Sequence, residues 1–383
     1  MNGGFQMKKV KFIHCADIHL DAPLTLLGKH DKSSIRRDDI RQTFTRIIDL
    51  AIERGVDLLL ISGDLYEHKF SKKSTIDFIN RQFARIPGVR VVITPGNHDP
   101  DASNSFYNTV KWSGNVQILR TSKDFAYYDD IDTYVFCAGY VNSEKDMDEL
   151  VSRACGTSFN ILLFHGSVDM PFSNAYNAVA GKVLGRPEFD YIAAGHLHSI
   201  VSGDGPHGNI YNPGCPEPLA FDQTGHHGVF AGEIIHDGTK RLEVEFVKLN
   251  SKYYENLELD VSGKSFDEII SAIDEKLAPY ETQNGLFNVT LKGYVDKDNP
   301  VDTALLKEHF DEKVFYMQIN NETIPDFDFE EMVADPGLTG VFVGKLLEKI
   351  KTAANDEERE IYTKALYYGV EALTKGEVTP YAY

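Results

Sequence analysis

Long apolar runs are missing from this chain of 383 residues. None approaches the roughly 20 residues that a membrane-crossing helix needs, which argues against a helical membrane protein. The opening Met1-Asn2-Gly3-Gly4-Phe5-Gln6-Met7-Lys8-Lys9 lacks the apolar core of a secretion signal, and Met7 is a candidate true start behind a short leader. Cysteine is scarce: Cys15, Cys137, Cys155 and Cys215 lie far apart and form no Cys-x-x-Cys pair. That argues against a zinc ribbon or a disulfide framework and fits a reducing cytosol. Positive charge is also short, with 39 Lys and Arg against 58 Asp and Glu and a net charge of −19. A protein that grips nucleic acid usually carries a basic surface. The deficit is uneven, however. Residues 251–383 hold 13 basic and 27 acidic residues, a net of −14, which leaves only −5 for residues 1–250. Acids that bind metal would shrink that remainder further. No internal repeat and no low-complexity tract is present.

What is there is a series of buried strands that end in polar tips. Val89-Arg90-Val91-Val92-Ile93 is an apolar β-branched run followed by Thr94-Pro95-Gly96-Asn97-His98-Asp99. Open α/β sheets place ligands just beyond the carboxyl ends of their strands. A strand over 9–15 ends at Asp17-Ile18-His19. Residues 34–54 show helical periodicity through Ile35, Ile40, Phe44, Ile47, Ile48 and Ala51, closed by Gly55. A strand over 56–61 ends at Gly63-Asp64, and a helix near 72–86 returns the chain to the Val89 strand. A strand over 159–164 ends at His165-Gly166, and one over 189–194 ends at Gly195-His196-Leu197-His198. Two alternating strands follow, near 228–235 and 241–248. The strand–helix–strand alternation implies parallel strands.

The expected division is a first domain over 8–250, an α+β module over 251–335 and a helical segment over 336–383. Strands at 254–260, 285–294 and 314–319 and helices at 265–279 and 303–311 would build the module. Residues 324–336 read as an acidic linker with a short apolar stripe. Residues 337–352 and 356–374 read as two amphipathic helices.

Together the five tips supply two Asp, one Asn and four His, with His98 to spare. The alternate residues of Asp17-x-His19 and His196-x-His198 would point the same way on an extended backbone. A single His on a strand is more often a core residue than a ligand, and His14, His30, His236 and His309 fall in that class. A lone Asp-x-His or Gly-Asp arises by chance. Five tips in order, each closing a buried strand, do not readily do so. Burying so many polar groups without partners costs several kcal/mol per ion by rough estimate, and metal is the partner that offsets it. Imidazole and carboxylate ligands suit manganese, iron or zinc better than calcium. Seven ligands exceed one tetrahedral site but fit two ions that share a bridge.

The motifs Asp17-x-His19, Gly63-Asp64, Gly96-Asn97-His98-Asp99, His165-Gly166 and Gly195-His196-x-His198 resemble those of the calcineurin-like metallophosphoesterases. Within them the chain is similar to the SbcD/YhaO-type DNA repair exonucleases. Cys15-Ala16-Asp17-Ile18-His19-Leu20-Asp21-Ala22-Pro23, Ser62-Gly63-Asp64-Leu65-Tyr66 and Tyr211-Asn212-Pro213-Gly214-Cys215-Pro216-Glu217-Pro218 carry that narrower likeness. The likeness covers residues 8 to about 250. It implies a layered αββα sandwich followed by an α+β capping domain and terminal helices. It implies that Asp17, His19, Asp64 and His198 hold one divalent ion, and Asp64, Asn97, His165 and His196 a second. Manganese would be the favoured ion, with iron, zinc or magnesium as alternatives. His98 would be the general acid, and Asp99 would orient His98 or a ligand. A metal-activated hydroxide would attack the phosphodiester in line. Relatives often carry Asp or His three residues after the bridging Asp; here Glu67 stands there, followed by His68. Either could serve, or both could be solvated loop residues. His207, His226 and His227 read as surface or substrate-side residues.

The leading expectation is a cytoplasmic, metal-dependent exonuclease or endonuclease in DNA repair. It would be dimeric and would partner an SMC-like ATPase of the SbcC or YhaN kind, with the terminal helices as docking candidates or simply as packing for their own cap. Arg36, Arg37, Arg41, Lys69, Lys72 and Lys73 could contact phosphates, although a charge run is usually a solvated face. The alternatives are a small-substrate phosphoesterase, which the net charge favours, and a silent scaffold. A scaffold would not need the spare His98.

Overall fold

The computed structural model describes residues 7–27, 31–121, 124–139, 144–169, 176–203, 208–376 and 378; His30 and His207 lie outside them. The chain begins with β1 (Lys8–Cys15), α1 (Asp31–Arg54), β2 (Leu58–Ser62), α2 (Lys73–Ala84) and β3 (Arg90–Thr94). It continues through α3 (Phe106–Thr109), β4 (Val116–Ile118), β5 (Phe125–Tyr128), β6 (Thr133–Cys137), α4 (Glu144–Val151) and β7 (Phe159–His165). Then follow α5 (Gly181–Leu184), β8 (Tyr191–Gly195), β9 (Val201–Ser202), β10 (Ile210–Asn212), β11 (Gly228–His236) and β12 (Lys240–Lys248). These strands form two six-stranded sheets, ordered β12-β11-β1-β2-β3-β4 and β5-β6-β7-β8-β10-β9. The central strands β1 to β3 and β6 to β8 are parallel, as the alternation implied.

The layering follows from residue parity. Successive side chains of a strand point to opposite faces, so a strand between two covers must be apolar on both. In β2, Leu58 and Leu60 face the other sheet, where they meet Val135, Leu163 and Ala193. Leu59 and Ile61 face outward onto Ile40, Phe44, Ile47 and Ile48 of α1 and Ile76, Ile79 and Phe83 of α2. On the far side Phe136, Leu162 and Ile192 pack under Met147 and Leu150 of α4 and Leu184 of α5. The result is helix, sheet, sheet, helix. His14 shares the inward parity of Phe12 and is buried with its Nδ1 2.9 Å from the Tyr191 hydroxyl. The same register aligns the strand ends: Cys15 beside Ile61, Ser62 beside Thr94, and His165 beside Gly195.

The chain divides into two compact units, Met1–Tyr254 and Glu255–Tyr383. In the second, β13 (Tyr253–Asp260), β14 (Gly285–Asp296) and β15 (Tyr316–Asp326) form a three-stranded sheet with α6 (Phe266–Leu277) and α7 (Thr303–Phe310). The strand expected over 314–319 runs on to Asp326, and the expected linker is structured. Eleven consecutive pairs, from Leu286 with Tyr316 to Asp296 with Asp326, extend the ladder through polar Asn320, Asn321 and Glu322. Backbone pairing overrides the poor strand propensity of those side chains. Next come α8 (Phe329–Val333), α9 (Leu338–Thr352) and α10 (Asp356–Thr374). The apolar stripe of the expected linker, Ile324, Phe327, Phe329 and Met332, packs on Val343, Leu366, Tyr367 and Val370 of the two last helices.

One expected phosphate contact is corrected here. Arg36 is fully buried rather than presented to solvent. Its guanidinium donates to Glu217 at 2.6 Å, to Asp39 at 3.0 Å and to the Pro218 carbonyl at 2.8 Å. Glu217 also accepts from the Thr43 hydroxyl and from the amides of Ser251 and Lys252. This cluster ties α1 to the Pro213–Pro218 turn and to the end of the first unit. Breaking a buried pair strands a charge, which costs about 3–5 kcal/mol. Urea unfolding of Glu217→Ala in EDTA should show a loss of that order, and Arg36→Met/Glu217→Leu should recover most of it.

Candidate metal centre

Aligned strand ends bring the sequence-predicted residues to one place. Asp17 and His19 follow β1, Asp64 follows β2, Asn97, His98 and Asp99 follow β3, His165 closes β7, and His196 and His198 follow β8. The expected extended backbone is not what makes them converge. Asp17, His19 and Asp64 have φ values of 51°, 49° and 51°, and His196 has 94°. Each is left-handed, a conformation that Asp, Asn and His enter more readily than other non-glycine residues. Such positions cost about 1–3 kcal/mol each and persist when their surroundings over-determine them. Each tip therefore curls its donors back over the strand ends.

The surroundings that hold these turns are visible. Asp99 is fully buried, and its carboxylate accepts from the amides of Gly96 at 2.6 Å, Leu65 at 2.7 Å and Asp64 at 3.1 Å and from the Tyr107 hydroxyl at 2.6 Å. Asp99 thus holds the tip that carries Asp64, while the ring of His98 is held by another residue. Gly96 packs so close to Asp64 that a Cβ there would lie 2.2 Å from its Oδ1. Gly63, at φ +82°, would place a Cβ 2.2 Å from the Nδ1 of His165.

Three groups of side chains offer atoms within 4.8 Å of one another: Asp17, His19 and His198; His19, Asp64 and His98; and Asp64, His165 and His196. Asp64 is common to two of them. The Nε2 atoms of His19 and His198 face each other at 3.1 Å. The Oδ1 of Asn97 lies 3.0 Å from both His165 Nε2 and His196 Nδ1. His165 Nδ1 donates to the Ser62 carbonyl at 2.7 Å, which turns its Nε2 toward Asp64, 3.4 Å away. The amide of His196 donates to the Asp17 carboxylate at 2.9 Å.

Electrostatics sort the members. Burial pushes Asp17 above the usual carboxylate range, with neighbouring Asp64 adding to it. Burial acts on Asp64 as well, but hydrogen bonding and charge from His165 and His19 outweigh it and hold Asp64 well below that range. Burial opposes charging of His165, yet the Asp64 carboxylate carries it up to about 9. Burial lowers His196 and His198 to about 4, so both present neutral nitrogen. Two carboxylates, an amide oxygen and two neutral imidazoles in one largely buried cluster form a donor set for borderline divalent cations. Where His19 and His198 face each other, one of the two nitrogens donates a proton and the other accepts it through its lone pair.

Glu67 was undecided from sequence. It is 8% exposed, and its two oxygens take the Nδ1 atoms of His19 and His98, each at 2.9 Å. Burial would raise its pKa, but the two histidines bring it down to about 2. The hydrogen bond to Glu67 in turn raises His98. His98 is the exposed member of the cluster, with 44% of its side chain open to solvent. His68 turns its ring toward Phe106 and belongs to none of the three groups. His226 is exposed, while His227 is buried against Cys215 and Gln223 backbone and is not a surface residue. Sequence reading missed Gln223, whose amide lies 2.6 Å from His198 Nδ1. A Gln in a loop carries no local signal; only the fold brings it there.

Residues 10–199 match the calcineurin-like phosphoesterase family. Over 277 residues the chain is 24% identical to the uncharacterized metallophosphoesterase YhaO of Bacillus subtilis, covering 69% of this chain and 66% of that one. It is 27% identical over 286 residues to the DNA double-strand break repair protein Mre11 of Methanopyrus kandleri, covering 68% and 61%. It is 24% identical over 390 residues to the Mre11 protein of Methanococcus maripaludis, covering 94% of this chain and all of that one. The chain therefore spans slightly less than two thirds of the first two relatives and the full length of the third. A two-sheet sandwich with paired His and Asp donors at its strand ends, together with the family match, makes residues 10–199 a calcineurin-like phosphoesterase domain.

Proposed function

We propose that this hydrolase is a DNA phosphodiesterase acting at DNA ends in repair, with exonuclease or endonuclease activity. The observation that carries the reading is the division of labour in the cluster: Asp17, His19, Asp64 and His165 are buried, Asn97, His196 and His198 are half-buried, and His98 alone among them is exposed. In this proposal Asp17, His19, Asp64 and His198 hold one divalent cation, and Asp64, Asn97, His165 and His196 a second, with manganese as the working ion. Such a pair supplies Lewis acidity to a phosphoryl oxygen and acidifies water. His98 faces the open side and donates a proton from Nε2 to the leaving oxygen. Glu67 fixes that direction by engaging Nδ1, and it does the same for His19. Asp99 acts on the tip of Asp64 rather than on substrate. Buried donors held by hydrogen bonds need little reorganisation when charge develops.

The end-of-DNA reading draws on the Mre11 relatives, which are named DNA double-strand break repair proteins. We take the second unit as a capping domain with its terminal helices. Exposed Leu338, Val341 and Ile361 on α9 and α10 support a docking face for an SMC-like ATPase of the SbcC or YhaN kind, and the active form would be a homodimer. Four free cysteines fit a cytoplasmic setting; among the described residues no helix is long and apolar enough to cross a membrane. The net charge of −19 favours a second reading, a phosphoesterase for small substrates.

Purified protein with manganese, given labelled single- and double-stranded DNA and separately bis(p-nitrophenyl) phosphate, separates the two. Cleavage of DNA that falls ~10²–10⁴-fold in His98→Ala, with manganese binding retained by calorimetry, is the expected result. Activity on the ester alone would favour the small-substrate reading. Asp64→Asn should lose both bound ions, because it serves both groups. Glu67→Gln should weaken metal binding or turnover by about 10–100-fold, the range for residues that orient metal ligands. Gly96→Ala should abolish manganese-dependent thermal stabilisation, since its Cβ would displace the Asp64 carboxylate.

A further inference from the structure

We infer that the loop over residues 69–73 is a platform for an unpaired nucleic-acid strand, with Phe70 stacking on a base and Lys69 and Lys72 engaging the neighbouring phosphates. The inference rests on the phosphodiesterase reading above and gives it a substrate form. In a chain of net charge −19, residues 68–73 carry three lysines and no acid. Lys69 and Lys72 are exposed, and among the described residues neither enters an ion pair. Lys73 is paired with Asp77 and is left out of the contact set. Phe70 is 52% exposed and has no ring contact among the described residues.

The loop is fixed, and it is fixed to the metal centre. The amides of Phe70 and Ser71 both donate to the Glu67 carbonyl, at 3.0 and 2.8 Å. The His68 amide donates to the His98 carbonyl at 2.9 Å, and the Ser71 hydroxyl to the Leu20 carbonyl at 3.4 Å. The side chain of the same Glu67 holds His19 and His98. An aromatic ring and two unpaired cations are therefore carried on the backbone that positions the exposed acid. Aromatic faces beside basic side chains are how proteins take single strands without reading sequence, because every base has a π-face. A duplex hides those faces in its own stack, so the platform selects an unpaired nucleotide. A loop already held by hydrogen bonds pays little ordering entropy on binding. The platform would present the strand to His98 and offset, locally, the repulsion of an acidic protein for a polyanion.

The test is fluorescence anisotropy of the full-length protein with labelled oligodeoxythymidine in EDTA, alongside manganese-dependent hydrolysis of bis(p-nitrophenyl) phosphate and of DNA. Phe70→Ala should weaken oligonucleotide binding about 5- to 150-fold, and Phe70→Trp should restore it. Lys69→Ala/Lys72→Ala should flatten the log–log salt dependence by roughly 1.4. Ester hydrolysis should be unchanged in all three. Wild-type-like oligonucleotide binding and DNA cleavage by Phe70→Ala would overturn the platform and leave the DNA reading standing. An equal loss on blunt duplex, or a parallel loss of ester hydrolysis, would also overturn it, since the loop would then be serving the duplex or the metal centre itself. A wild-type protein that hydrolyses the ester but neither binds nor cuts DNA would remove both proposals together.

Discussion

A carboxylate that ligates nothing in our reading holds the centre in shape. Asp99 gathers three backbone amides from two strand tips and a buried tyrosine hydroxyl. Hydrogen bonds to a charged acceptor are worth about 1.5–3 kcal/mol each, enough to sustain a left-handed turn at Asp64. If that tip relaxed, the carboxylate of Asp64 would leave two donor groups at once. The close packing of Gly96 and Gly63 against Asp64 and His165 shows how little room the arrangement leaves.

Glu67 extends the same logic outward. One side chain fixes two imidazoles, a candidate ligand and the exposed candidate acid, and its own carbonyl anchors the loop that follows. Its burial would be costly if it were unpaired; two imidazole partners make it the cheapest way to align both rings. Metal binding, proton donation and strand docking would then share a single mechanical support. A disturbance at Glu67 cannot be confined to one of them.

The acidic balance of the chain takes on a different meaning in the structure. Several acids of the first unit are consumed internally. Asp17, Asp64, Glu67 and Asp99 are buried in or around the cluster, and Glu217 and Asp39 are spent on Arg36. Formal charge therefore overstates the negative surface near the site. The remaining excess sits mainly in the second unit, where Asp326, Asp328, Glu330, Asp356, Glu357 and Glu360 are among the exposed acids.

Much of this was legible from residue order. Apolar runs bounded by glycine and polar tips placed the central strands, because a strand covered on both faces must be apolar throughout. The recurrence of Asp, Asn and His at those tips marked the residues that the strand ends bring together. What residue order could not decide were relations between distant positions: the positive φ values at Asp17, His19 and His196, the double engagement of Glu67, the burial of Arg36 and the approach of Gln223 to His198. Each depends on a partner tens to hundreds of residues away, and local propensity carries no information about it. The extension of β15 to Asp326 has the same origin, since its hydrogen bonds come from β14 and not from its own side chains. Sequence determined which residues could do chemistry; packing of the two sheets decided which of them face one another.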